Sequence, residues 1–302
     1  MGSPRGVHAA TGGFDPAKRR FAAGAVALTT LLAIGIFAPI LREMVNHWRV
    51  VADYSHGFLV APLAIYFAWE RRGDVRRAPL EPSWLGLVPL ALASLALAIG
   101  RLGVEFMAMR TAFVLTLNGL VLLLLGRSIY RILIFPLLFL FLMVPLPQSL
   151  ANQITFPLQL IATDLAMEPL YWLQIPAYRE GNIIHMAGHE LLVAQACSGL
   201  RSVMALGTLG VVFAYFFRKS FWERAILILA TIPIAILVNA FRVALTGVLT
   251  HHLGPEAADG WIHQTEGFFT FGLAFALLLL MAAVLQFLFS RRRRKRAAEA
   301  GS

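Results

Sequence analysis

FAAGAVALTTLLAIGIFAPIL, residues 21–41, carries no charge over its whole length. At about 1.5 Å per residue a helix of this length spans the roughly 30 Å hydrocarbon core of a bilayer. No small-residue cleavage site and polar mature region follow it, so the run is an expected anchor and not a removed signal. Seven more apolar runs lie near 55–70, 83–100, 111–126, 132–147, 200–217, 225–249 and 266–290. Together they predict an all-α polytopic membrane protein with about eight transmembrane helices, the runs at 55–70 and 132–147 being short. Composition agrees. The chain is 59% hydrophobic and 14% charged, whereas soluble domains are about half apolar and a quarter charged.

A net charge of +10 raises nucleic acid as a partner. The distribution excludes it, because the cations sit in short clusters between long uncharged runs. Those clusters orient the chain instead, since lysine and arginine collect on the cytoplasmic side. With the N-terminus inside, clusters at 5–20, 71–77, 127–131, 218–224 and 291–296 all fall inside, 19 of the 26 lysines and arginines. The expected domains are a disordered cytoplasmic N-terminus over 1–20, a transmembrane domain over 21–290 and a basic cytoplasmic tail over 291–302. The longest excursion between spans, 148–199, then lies outside. Its first part is amphipathic, with Tyr171 and Trp172 suited to the membrane interface. NIIHM and ELLVAQA, joined at Ala187-Gly188-His189, predict a β-hairpin that delivers the chain into Cys197.

Cys197 is the only cysteine, which excludes an internal disulfide and a cysteine-only metal site. No His/Cys ligand spacing supports a metal, and no cofactor is expected. Cys197 lies 21 residues before Arg218, about 31 Å along a helix, and Arg242 lies 18 residues after Arg224, about 27 Å. His263 lies 28 residues before Arg291, about 42 Å if helical throughout. A thiol, a guanidinium and an imidazole therefore reach one level of one membrane face. Ser198 suits the N-cap of a helix running through Arg201. The helix dipole and Arg201 would both favour the thiolate. The plain alternative is a small buried hydrophobe, the usual fate of a free cysteine.

Arg242 sits inside an apolar run, where an arginine is costly and points to function, unless it snorkels to the headgroups. Asn239 and Thr246 share its helix face. His263 has rivals in His251, His252, His185 and His189, and can also be read as an interface histidine beside Trp261. In VADYSHGFLVAP, residues 51–62, Asp53, Tyr54, Ser55 and His56 either line the same cavity or are ordinary loop residues.

ACSGLRS at 196–202, NAFRV at 239–243 and HQTEG at 263–267 together resemble the exosortases, bacterial membrane proteins related to archaeosortases. YSHGFLVAP is similar to that family's pattern too, and the resemblance runs from about residue 45 to 290. It implies a cysteine peptidase or transpeptidase in the inner membrane, with its active site facing the periplasm. The implied substrates are secreted proteins with a C-terminal Pro-Glu-Pro motif (PEP-CTERM), a transmembrane helix and a basic tail. The implied roles are nucleophile for Cys197, stabilising cation for Arg242 and general acid/base for His263, with Ser198, Arg201, Asn239 and His56 in support. The acceptor nucleophile stays open. Two other readings need no thiol chemistry: a transporter or lipid-linked glycan enzyme, and a scaffold of an exopolysaccharide export system.

Overall fold

A computed structural model describes residues 16–186, 189–193, 199–217, 220–254 and 261–299. Among these residues five helical stretches are long and apolar enough to cross a bilayer: Ala17–Val50, Trp84–Leu102, Phe106–Met143, Phe221–Leu253 and Gly267–Ser290. The expected count of eight is therefore too high, and four of the predicted runs account for the difference. The run at 55–70 forms a helix of only 14 residues, about 21 Å long. The run at 200–217 forms a shorter apolar helix. The runs at 111–126 and 132–147 fall on two helical limbs that meet at Gly126 and count together as the one stretch Phe106–Met143.

The chain divides into two units. The first takes the chain up to Met44 and then Ala61–Val144. It holds most of α1 (Pro16–Val50), the greater part of α2 (Gly57–Glu70), then α3 (Arg72–Arg77), α4 (Leu87–Leu102) and α5 (Phe106–Phe139). The bend in α5 falls at Gly126, whose φ of 85° and ψ of 180° leave helical space. There the backbone pairs with Glu81, and a Cβ on Gly126 would stand 1.7 Å from the Glu81 carbonyl oxygen. Only glycine meets both demands, positive φ and backbone contact. Beyond the bend, Phe135 and Phe139 clasp the buried Phe67 of α2, with ring centroids 5.1 and 5.3 Å away. The Arg19 guanidinium at the start of α1 donates to the carbonyls of Val75 and Ala78.

The second unit comprises Val45–Val60 and the chain from Pro145 onward. Its elements are a 3-10 turn at Ala52–Tyr54, α6 (Gln148–Trp172), three strands, α7 (Gly199–Phe217), α8 (Phe221–Leu253) and α9 (Trp261–Glu299). The apolar faces of α7, α8 and α9 meet in one core around Leu206, Leu227, Ile234, Val238 and Leu278. A second core joins α6 and the strands to α8 through Met167, Leu170, Ile184, Val193, Val243 and Ala244.

The predicted hairpin is present. Strands β2 (Ile183–Met186) and β3 (His189–Leu192) pair antiparallel, Met186 opposite His189. A further strand, β1 (Ala177–Glu180), pairs with the other edge of β2, giving the order β1-β2-β3. The amphipathic stretch is α6, and at its end Tyr171 and Trp172 are 56% and 81% exposed, as aromatics at a membrane interface would be.

Candidate active site

Val45–Val60 belongs to the second unit because a short, tightly folded segment seats it there. Gly57 carries the argument. A Cβ at this position would stand 2.5 Å from the Trp48 indole, so the glycine lets α2 start directly against that buried ring. Trp48 also meets Phe58 edge to face at 5.3 Å. Tyr54 is buried, lies 5.2 Å from the His47 ring and donates its hydroxyl to the Leu146 carbonyl at 3.4 Å. That bond ties the turn to the start of α6. His56 is buried too, with Nδ1 3.2 Å from the Asp53 carbonyl oxygen. Two residues of YSHG, Tyr54 and His56, thus point inward, and Asp53 before them is half-buried.

The Ala52–Tyr54 turn packs on α7. There Asp53 meets Arg201, with Nε 3.7 Å from Oδ1. The pair joins the first turn of α7 to a segment nearly 150 positions earlier in the chain. It also alters the expectation for Arg201, whose charge now faces a carboxylate. Cys197 and Ser198 lie outside the described residues. The chain is described up to Val193, which follows β3 and donates its backbone N–H to the Asn182 carbonyl at 3.0 Å. It resumes at Gly199 as α7 begins.

On α8 the polar face around Arg242 turns inward. Asn239, Thr246 and Thr250 are buried and Arg242 is half-buried. The Thr246 hydroxyl donates to the Arg242 carbonyl and the Thr250 hydroxyl to the Thr246 carbonyl, each at 2.9 Å. Asn239 is only 4% exposed, yet its side-chain oxygen has no hydrogen-bond partner among the described residues. An orphaned buried acceptor costs stability, so a buried face that keeps one is a functional candidate. His263 lies in the first turn of α9. His251 and His252 close α8, ring against ring at 5.0 Å. His185 is committed to the sheet, stacked on Tyr178 at 4.6 Å with Glu180 and Glu190 within 3.5 Å of its ring nitrogens.

Sequence reasoning placed Asp53 and Arg201 separately and missed their pairing. No local pattern carries a contact over that separation. A carboxylate and a guanidinium, each beside a suspected site motif, were the available signal.

Long apolar helices, one with a buried polar face, make this an integral multi-pass membrane protein. The chain belongs to the transmembrane exosortase family, whose model, described as transmembrane exosortase (Exosortase_EpsH), matches residues 48–280. No curated protein and no solved structure matches it. The matched range takes in Asp53, His56, Cys197, Ser198, Arg201, Asn239, Arg242 and His263.

Proposed function

We propose that this exosortase is a cysteine peptidase or transpeptidase that removes the C-terminal Pro-Glu-Pro signal of secreted proteins. Cys197 is the nucleophile. Its thiolate attacks the scissile carbonyl, the C–N bond breaks, and a thioester links the substrate to the enzyme. His263 gives the leaving amine its proton. Arg242 faces the oxygen on which negative charge develops. In a partly dehydrated site one such donor is worth about 3 kcal/mol. Water, an amine or a hydroxyl then attacks the thioester and frees the thiolate. Ser198, Arg201, Asn239 and His56 support the site.

The observation that carries this reading is the buried polar face of α8. Arg242 lies there beside Asn239, whose oxygen is unpaired among the described residues. Buried polar groups in a membrane helix are costly and serve ion, proton or substrate chemistry.

The transmembrane domain spans 21–290, with 148–199 as an outer platform and with 1–20 and 291–302 in the cytoplasm. This topology needs an even number of crossings and so draws a shorter apolar helix, α2 or α7, into the membrane beside the five long stretches. The protein sits in a bacterial inner membrane with its active site facing the periplasm. Charge supports that orientation. Arg224 lies at the start of α8, Arg291–Arg296 at the end of α9, and Arg19 is bonded at the level of Val75 and Ala78. Clusters of this kind stay cytoplasmic. A substrate arriving as a transmembrane helix would present its scissile bond just outside the bilayer.

The test is co-expression with a Pro-Glu-Pro-tailed reporter, comparing the wild type with Cys197→Ala. Loss of the tail with the wild type alone supports the reading. Equal processing by both, or none by a well-folded wild type across several tails, removes it and favours a transporter or scaffold.

A further inference from the structure

We infer that Arg201 reads an acidic side chain of the peptide substrate, and that Asp53 is the carboxylate holding its guanidinium until such a peptide arrives. The inference rests on the peptidase reading and adds a determinant of specificity to it.

Arg201 lies in the first turn of α7, four residues after Cys197 in the chain. A guanidinium is a rigid fork of donors that suits carboxylates. This one already meets a carboxylate, with Asp53 Oδ1 3.7 Å from Nε. The exposures are unequal, 52% for the arginine side chain and 24% for the aspartate. The guanidinium is thus the more exposed partner and the carboxylate the more covered one. A pair this exposed contributes little to stability, so a second carboxylate exchanges with the first at small cost.

Asp53 does not depend on Arg201 for its place. Its turn is fixed by the backbone bond from Tyr54 to Val51, its carbonyl meets His56, and Tyr54 and His56, which follow it, are buried. The fold therefore presents a carboxylate to Arg201 from a rigid segment, and the side chain of a substrate glutamate is the same chemical group. Lysine at that place in the peptide would meet Arg201 as a like charge.

A structural pair and a competing pair predict opposite signs. Removing a structural partner weakens the site. Removing a competitor strengthens binding.

The experiment uses the full chain in detergent with Cys197→Ala, so that peptides bind without being cleaved. Fluorescent peptides carry glutamate, glutamine or lysine at the central position of the Pro-Glu-Pro motif. The glutamate peptide should bind about tenfold tighter than the glutamine peptide, as expected for a close charge pair. Arg201→Gln should flatten that preference, and Arg201→Glu should shift it toward lysine. Asp53→Asn should tighten the glutamate peptide by about threefold.

Equal binding of all three peptides by the parent overturns the inference. So does equal weakening of all three by a folded Arg201→Gln, or weaker binding of the glutamate peptide by Asp53→Asn. Charge-selective binding together with uncleaved reporter in cells retains the inference and sinks the peptidase reading alone.

Discussion

The Tyr130 hydroxyl donates to the Asn118 side-chain oxygen at 3.0 Å, across the bend that Gly126 puts into α5. Asn118 is buried and uses its amide to donate to the Val114 carbonyl at 2.8 Å. One phenol thus braces the two limbs of a broken helix and satisfies a polar group that has little access to water. Tyr130→Phe should therefore cost about 1 kcal/mol, the worth of a hydrogen bond whose buried acceptor is left unpaired. Thermal unfolding in detergent reads this as a lowered midpoint with unchanged helix content.

Gly126→Ala should be more damaging. The new methyl would overlap the Glu81 carbonyl, and alanine resists positive φ. A loss of about 2 kcal/mol or more is expected, with a reduced yield of monodisperse protein. A variant as stable as the wild type would show that α5 does not bend here.

Asn239→Leu separates stability from function. It removes a buried acceptor with no partner among the described residues, so stability should hold or rise by about 1 kcal/mol. Reporter processing should fall by at least about tenfold if the amide serves the reacting groups. Full processing by this variant would make Asn239 a packing residue.

Arg242→Gln should lower processing about 100-fold, the usual cost of one donor to a developing oxyanion. Arg242→Lys should restore part of that loss, since it keeps the charge and loses the planar fork. An arginine that only snorkels to headgroups would leave both variants near the wild-type rate.

Much of the fold is written in run length and alternation. The apolar runs at 21–41, 83–100, 225–249 and 266–290 became α1, α4, α8 and α9, because apolar length with few charges is what a bilayer selects. The hairpin followed from apolar strands around a glycine-containing turn. The span count failed where length was marginal or a bend hid in the run. The cations at 127–131 stand between two apolar runs in the sequence, yet the break falls at Gly126 and Arg127 already lies on the helical limb that follows. Strand β1, AYRE, has little apolar signal of its own, and Tyr178 finds its partner only in His185 of the next strand. Arg242 and Asn239 were legible because polar residues stand out in an apolar helix. The Asp53–Arg201 pair was not, because the two motifs that hold it lie far apart in sequence.

The central claim is that the acyl group of the substrate passes through a thioester on Cys197. Hydroxylamine, added to membranes containing the wild-type enzyme and a Pro-Glu-Pro reporter, tests it directly by intercepting that bond. The reporter should then be released with a C-terminal hydroxamate, identified by mass, and Cys197→Ala membranes should release none. Tail removal that continues in Cys197→Ala membranes, or a hydroxylamine-treated wild type yielding only the free carboxylate, would contradict the account.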